Sequence, residues 1–188
     1  MRIVQISDTH GKHHLLKNLP EGDVIVHCGD FSDNGTEEEV LDFLNWFIEL
    51  PYPHKIFVTG NHDLCLWDAD DIEDLPENVH FLQDKGVTIE GVHFFGIAYN
   101  HKPDIIPTTC NVLVTHEPPF GILDGTMGMN WGSSKILEEV LRIKPRLHLF
   151  GHAHNDSGLL ESNDTIYSNA SLLDDFMELK FEARVHNL

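Results

Sequence analysis

Three short apolar runs, residues 2–6, 24–28 and 55–59, stop at Ser7, Gly29 and Gly60. They read as buried parallel strands, because a strand covered on both faces shows no polar side to water. Parallel neighbours cannot be joined by a tight turn, so each pair needs a crossover. The first crossover is a polar stretch closed by Pro20-Glu21-Gly22. The second predicts a helix over 36–50: Thr36 and Glu39 form a capping box, Val40, Phe43, Leu44, Phe47 and Ile48 recur at helical spacing, and Pro51 and Pro53 stop it. Two strand–crossover–strand units of one hand commit the chain to an α/β sheet.

Beyond residue 78 the pattern changes. Short strands are expected at 79–82, 87–90 and 92–98, separated by Asp84-Lys85-Gly86 and Gly91, as an antiparallel patch. A buried strand follows at 111–115, then a glycine- and methionine-rich loop to Gly132. A helix over 133–143 turns Ile136, Leu137, Val140 and Leu141 inward and ends before Pro145. Strands are expected at 147–150, 158–161, 165–168 and 176–185. With no internal repeat and no linker, residues 1–188 read as one domain without a cap, two sheets packed together with helices outside.

Composition narrows the class of partner. Twelve Lys and Arg stand against 31 Asp and Glu, a formal charge of −19, so long nucleic acids and anionic membrane surfaces are repelled. No apolar run approaches bilayer length and none follows Met1 as a signal peptide would. Cys28, Cys65 and Cys110 build neither a disulfide framework nor a CxxC metal site, and a reducing cytoplasm is the expected location. Histidine is the anomaly: there are 14, more than Lys and Arg together. Imidazole beside abundant carboxylate is what a metal site requires.

Those residues are not scattered. Asp8-Thr9-His10 follows the first strand, Gly29-Asp30-Phe31-Ser32-Asp33 the second and Gly60-Asn61-His62-Asp63 the third; Thr115-His116 and Gly151-His152-Ala153-His154 follow later ones. Singly, each is ordinary turn chemistry. Together they place ligand-type side chains at the carboxyl edge of a sheet, where loops of open α/β folds converge on ligands. Gly29, Gly60 and Gly151 each precede the polar residue, as where backbone bends sharply or closely approaches another group.

The ordered blocks D-x-H, G-D-x-x-D, G-N-H-D, H and G-H-x-H resemble the calcineurin-like metallophosphoesterase family, from Asp8 to His154. The Asp-Thr-His-Gly opening, the helix segment 43–46 and Lys144-Pro145-Arg146-Leu147-His148 are more loosely similar to the small metallophosphoesterase-domain-containing proteins, a class III cyclic-nucleotide-phosphodiesterase-like subgroup. The resemblance implies a four-layer α/β/β/α sandwich and two divalent metal ions. Asp8, His10, Asp30 and His154 would hold one, and Asp30, Asn61, His116 and His152 the other, with Asp30 shared. Ligation without thiolate points to Mn, Fe, Zn or Ni, with Mn favoured for activity, rather than a Ca or Mg cage. Such a pair lowers the pKa of a water between the metals and presents it in line with phosphorus. His62, outside both ligand sets, has the family role of protonating the leaving oxygen or stabilising its charge. Asp63 is expected to orient that imidazole or tune its basicity, and Asp33 to do the same for His10.

The remaining histidines divide into expected surface residues (His13, His14, His54, His80, His101 and His186) and strand residues in the core or at sheet edges (His27, His93 and His148). Cys28 reads as a small buried hydrophobe. The substrate follows from what is missing. The family's protein phosphatases carry Asp-Arg-Gly where this chain has Asp33-Asn34-Gly35, and Arg2, Arg142, Arg146 and Arg184 all lie outside the motif loops. A monoester dianion calls for fork-shaped guanidinium donors; the expected substrate is therefore a small phosphodiester or cyclic nucleotide, with Tyr99, Phe120, Met127, Met129 and Trp131 of loops 99–109 and 117–132 available to pack on a base or aryl group. The alternatives are a phosphomonoesterase or protein phosphatase, and a non-catalytic scaffold of the same fold.

Overall fold

The computed structural model describes residues 1–99, 106–126 and 128–188. Strands β1 (Arg2–Ile6), β2 (Val24–His27), β3 (His54–Phe57) and β4 (Val79–Phe81) run parallel in that order. The final strand, β13 (Arg184–Asn187), closes the β1 edge antiparallel. The second sheet contains β5 (Lys85–Ile89), β6 (Val92–Gly96), β7 (Val112–Val114), β10 (Leu147–Phe150), β11 (Gly158–Ser162) and β12 (Thr165–Asn169), in the order β11-β12-β10-β7-β6-β5. Its centre, β12-β10-β7-β6, is parallel, and both rims are antiparallel. A small hairpin pairs β8 (Gly125–Thr126) with β9 (Met129–Asn130).

The strand alternation sends side chains into three hydrophobic layers. Ile3, Val24, Val26 and Ile56 of the first sheet meet Phe94, Val112, Val114, Leu147 and Leu149 of the second. Their neighbours Val4, Ile6, Ile25 and Phe57 point the other way, onto α1 (Glu37–Ile48) through Val40, Phe43, Leu44 and Phe47. On the far side, Phe95, Leu113, Phe150 and Tyr167 receive α2 (Ser134–Ile143) through Ile136, Val140 and Ile143. The result is helix, sheet, sheet, helix. Each fully buried aliphatic or aromatic side chain is worth roughly 1.5–3 kcal/mol, so the central strands, buried on both faces, are the stable frame from which the loops project. Gln5, fully buried between the sheets, ties them together: its amide donates to the carbonyls of Phe150 and Ser168, each at 3.0 Å. That bond sets the end of β1 beside the end of β10.

The capping box forms as read, with the Thr36 hydroxyl accepting from the Glu39 N–H and the Glu39 carboxylate accepting from the Thr36 N–H. Three expectations give way to tertiary context. Residues 79–81 are not part of an antiparallel patch; they extend the first sheet parallel to β3, and Lys85-Gly86 is strand rather than turn. Leu141 is 44% exposed, because the buried stripe of α2 runs through Ile136, Val140 and Ile143 and leaves Leu141 on the solvent side. Within 176–185 only the end is strand: Arg184–Asn187 pairs with β1, while Leu179 makes only an isolated bridge to Leu173.

Candidate metal centre

All five polar clusters leave the carboxyl ends of β1, β2, β3, β7 and β10, and the two sheets bring those ends together. Asp8, His10, Asp30 and His152 all adopt left-handed backbone conformations, with φ of 55°, 40°, 55° and 69°. Each costs about 1–3 kcal/mol for a residue with a Cβ, and the hydrogen bonds around them hold the turns. The glycines answer a steric need, and Gly29, at φ 92°, a conformational one as well. A Cβ on Gly60 would lie 2.2 Å from Asp30 Oδ1, one on Gly151 2.1 Å from Asp8 Oδ2, and one on Gly29 2.7 Å from His116 Nδ1. Glycine occurs where the backbone touches these side chains.

Two donor groups meet around Asp30. In one, His116 Nε2 faces Asn61 Oδ1 at 2.9 Å, His152 Nδ1 at 3.2 Å and Asp30 Oδ2 at 3.3 Å. In the other, His154 Nε2 lies 3.5 Å from Asp8 Oδ1, and the ring of His10 stands 5.3 Å from that of His154. His10 Nε2 joins the two groups, 3.7 Å from Asp30 Oδ2. The backbone orients the imidazoles. His116 Nδ1 lies 2.8 Å from the Cys28 carbonyl and His154 Nδ1 3.2 Å from the Asp174 carbonyl. An Nδ1–H donated there leaves each Nε2 lone pair aimed inward.

This donor set fits divalent cations. Both ring nitrogens of buried His10 lack a hydrogen-bond partner, and a cation would satisfy the one that carries the lone pair. Burial opposes charge at Asp8 and Asp30, yet His116 holds both carboxyls below their usual range, helped at Asp8 by His154. Burial should likewise lower His116, but Asp30 and Asp8 lift it to about 10. The carboxylates thus favour positive charge in the pocket, and a cation bound at His116 Nε2 would take the place of that proton. Burial and the nearby His116 push His152 down to about 4, and burial lowers His10 as well, which keeps both imidazoles neutral as ligands must be.

His62 stands at the edge of the site, its ring 4.7 Å from that of His10, with Nδ1 at 2.7 Å from the Asp33 carbonyl. Asp33 also places Oδ1 3.7 Å from His10 Nδ1. Asp63 departs from its expected role of orienting His62. Its carboxylate is fully buried and accepts from the N–H groups of Asp30, Gly60 and Ser32 and from the Ser32 hydroxyl, at 2.7–3.0 Å. Burial and the Asp30 charge push this carboxyl up to about 7, against four donors that favour the ionised form. It fastens the loop after β2 to the loop after β3.

A sixth segment joins the site that motif reading missed. After β12, Ser171 donates to Asp8 Oδ2 at 2.8 Å, and the Leu172 N–H bonds the Ser7 carbonyl. The signal was present: Ser168-Asn169-Ala170-Ser171 is another polar break at the end of a buried strand. Tyr99 and Trp131 flank the His116 and His152 side, their rings 6.0 Å and 6.1 Å away; Phe120 and Met129 are exposed, and Met127 lies outside the described residues. Of the histidines assigned to the surface, His13 and His186 are buried instead, His13 beneath Trp46 and His186 against the Gln5 amide oxygen. No helix among the described residues is long and apolar enough to cross a membrane.

Comparison with known proteins agrees. TT1561 of Thermus thermophilus matches with a TM-score of 0.69 over 99% of this chain and 98% of its own, at 14% identity, a likeness of fold alone. UPF0046 protein K07C11.7 of Caenorhabditis elegans is 38% identical, covering 91% of this chain and 69% of the relative. Metallophosphoesterase domain-containing protein 1 of Homo sapiens is 33% identical over 91% of this chain and 66% of its own. The calcineurin-like phosphoesterase profile matches residues 1–156, from the first strand past the final histidine loop. Coverage of that extent, over loops that already meet around Asp30, makes this chain a member of the calcineurin-like phosphoesterase family, whose chemistry is hydrolysis of phosphoric esters.

Proposed function

We propose that the protein is a two-metal phosphodiesterase acting on small phosphodiesters or cyclic nucleotides. The observation that carries this reading is the shared Asp30 between two donor groups in a pocket with no guanidinium beside it among the described residues. Arg142 is occupied by Glu139 and the Ile106 carbonyl, Arg184 by the Asn169 carbonyl and Ser157, and Arg2 and Arg146 are exposed. A singly charged diester needs no such fork, whereas a dianionic monoester normally does.

Asp8, His10, Asp30 and His154 would hold one cation and Asp30, Asn61, His116 and His152 the other; when bound, the pair supplies Lewis-acid polarisation of the phosphoryl oxygens and a water of lowered pKa. Mn is the favoured metal, with Fe, Zn and Ni the other candidates suited to mixed nitrogen and oxygen ligation. His62 carries the proton. With Nδ1–H donated to the Asp33 carbonyl, Nε2 is the atom that holds a proton for the leaving oxygen. Tyr99 and Trp131 offer flat faces to a base or aryl group.

The test reconstitutes chelator-stripped protein with Mn and compares an aryl phosphodiester with the matching aryl monoester. Faster diester turnover, abolished in Asp30→Asn, is the expected result. Faster monoester turnover assigns a phosphomonoesterase, and no turnover above that of Asp30→Asn assigns a scaffold.

A further inference from the structure

His13, His14 and Asp42 form a second side-chain cluster, outside the site around Asp30. Asp42 projects from the middle of α1, and the two histidines open the short 3-10 turn His13–Leu15 that lies against it. Both Nε2 atoms converge on one carboxylate oxygen: Asp42 Oδ2 is 3.2 Å from His13 Nε2 and 3.0 Å from His14 Nε2. An ordinary hydrogen bond accounts for His14 alone. His13 is 0% exposed; its Nδ1 has no hydrogen-bond partner, and its Nε2 has only the Asp42 carboxylate beside it. A buried imidazole left in this way is costly, and the rings of Trp46 at 4.9 Å and Phe43 at 5.8 Å that pack on it offer no acceptor.

We propose that His13, His14 and Asp42 form a separate site for a first-row divalent cation, with Zn(II) the reference ligand. Ligand atoms about 2.0–2.2 Å from a tetrahedral ion stand about 3.3–3.6 Å apart, slightly beyond the 3.0 and 3.2 Å found here. A small outward movement of the half-exposed Asp42 and His14 side chains would admit the ion. Two imidazoles and one carboxylate select Zn, Co, Ni or Cu over Ca or Mg, and leave a fourth position for water. Burial and the neighbouring His14 keep His13 neutral, lowering it to about 4, as a ligand must be. Entry is open, since the Asp42 and His14 side chains are each 54% exposed. Glu38, one helical turn before Asp42, adds negative potential at the mouth. The ion would pin the turn at His13, three residues past His10, to α1, and so brace the loop that carries Asp8 and His10.

The test is metal counting, and it stands apart from the phosphodiesterase assignment because it needs no turnover. Chelator-stripped full-length protein is equilibrated with Zn(II), freed of excess and analysed for zinc per chain, beside His14→Ala and Asp42→Ala; a parallel Co(II) titration reads the visible spectrum. Both side chains are exposed enough for the variants to fold. The proposal expects one Zn(II) per chain fewer in each variant, or affinity for that equivalent weakened by at least roughly 100-fold, with the matching tetrahedral Co(II) band lost. Zinc content and Co(II) spectra in either variant equal to wild type overturn it.

Discussion

Gly60→Ala isolates the steric logic of the site. Gly60 is not in a left-handed conformation, so alanine brings one methyl group and no backbone strain. That methyl would begin 2.2 Å from Asp30 Oδ1 and 2.5 Å from the Asp30 nitrogen. An unstrained carbon–oxygen contact needs roughly 3.3 Å or more, so the Asp30 carboxylate must retreat by about 1 Å and the Asp30 backbone must shift with it. Metal ligands tolerate displacements of only about 0.2 Å, and Asp30 is the one side chain both donor groups share. Overpacking of this kind costs about 1–3 kcal/mol of stability, which leaves the fold standing. Misplacing a catalytic group by about 1 Å costs on the order of 100-fold in rate. Elemental analysis after Mn reconstitution should find both cations weakened together, with diester turnover down at least roughly 100-fold and the urea midpoint only modestly lower. Wild-type Mn content and turnover in Gly60→Ala would show that Asp30 is not the shared ligand.

His62→Ala should leave Mn content unchanged while lowering kcat by about 10²–10⁴-fold; an unaltered kcat at full metal occupancy removes His62 from the reaction. Asp63→Asn puts an amide N–H against donors that now share a carboxylate, and should lower stability by about 1–3 kcal/mol in urea unfolding; an unchanged midpoint would show that the two loops do not depend on that anion. His148 is fully buried, lowered to about 3, with Nε2 donating to Thr115 Oγ1 because the Thr115 proton goes to the Glu117 carbonyl. The unfolded chain protonates this histidine near pH 6.5 and the folded chain does not, so its contribution is complete above that pH and is lost as pH falls toward 3. Between pH 6 and 4, unfolding free energy in the wild type should therefore change with pH more steeply than in His148→Gln, by about 1.4 kcal/mol per unit; equal slopes would mean the imidazole is charged in the fold.

Much of this protein is legible in one dimension because its signals are local. A buried parallel strand is an apolar run, a capped helix begins at Thr36 with Glu39 in reach, and a ligand loop is a glycine followed by Asp, Asn or His at a strand end. The order of those loops along the chain was enough to name the family and to nominate Asp8, His10, Asp30, Asn61, His116, His152 and His154, which the fold brings together. What the linear pattern could not carry was contact between segments far apart in sequence. Residues 79–81 look like part of a meander until the open edge of β3 is present to pair with them. Asp63 looks like a partner for the histidine beside it, yet four donors from two loops claim its carboxylate, and only the packed structure says where those N–H groups point. His13 looks like one polar residue among others until α1 lays Trp46 over it and presents Asp42. Composition and periodicity report each residue's own preference for water or for a backbone shape. Which partner satisfies a buried polar atom is settled by the crossing of chains, and that crossing exists only once the two sheets close on each other.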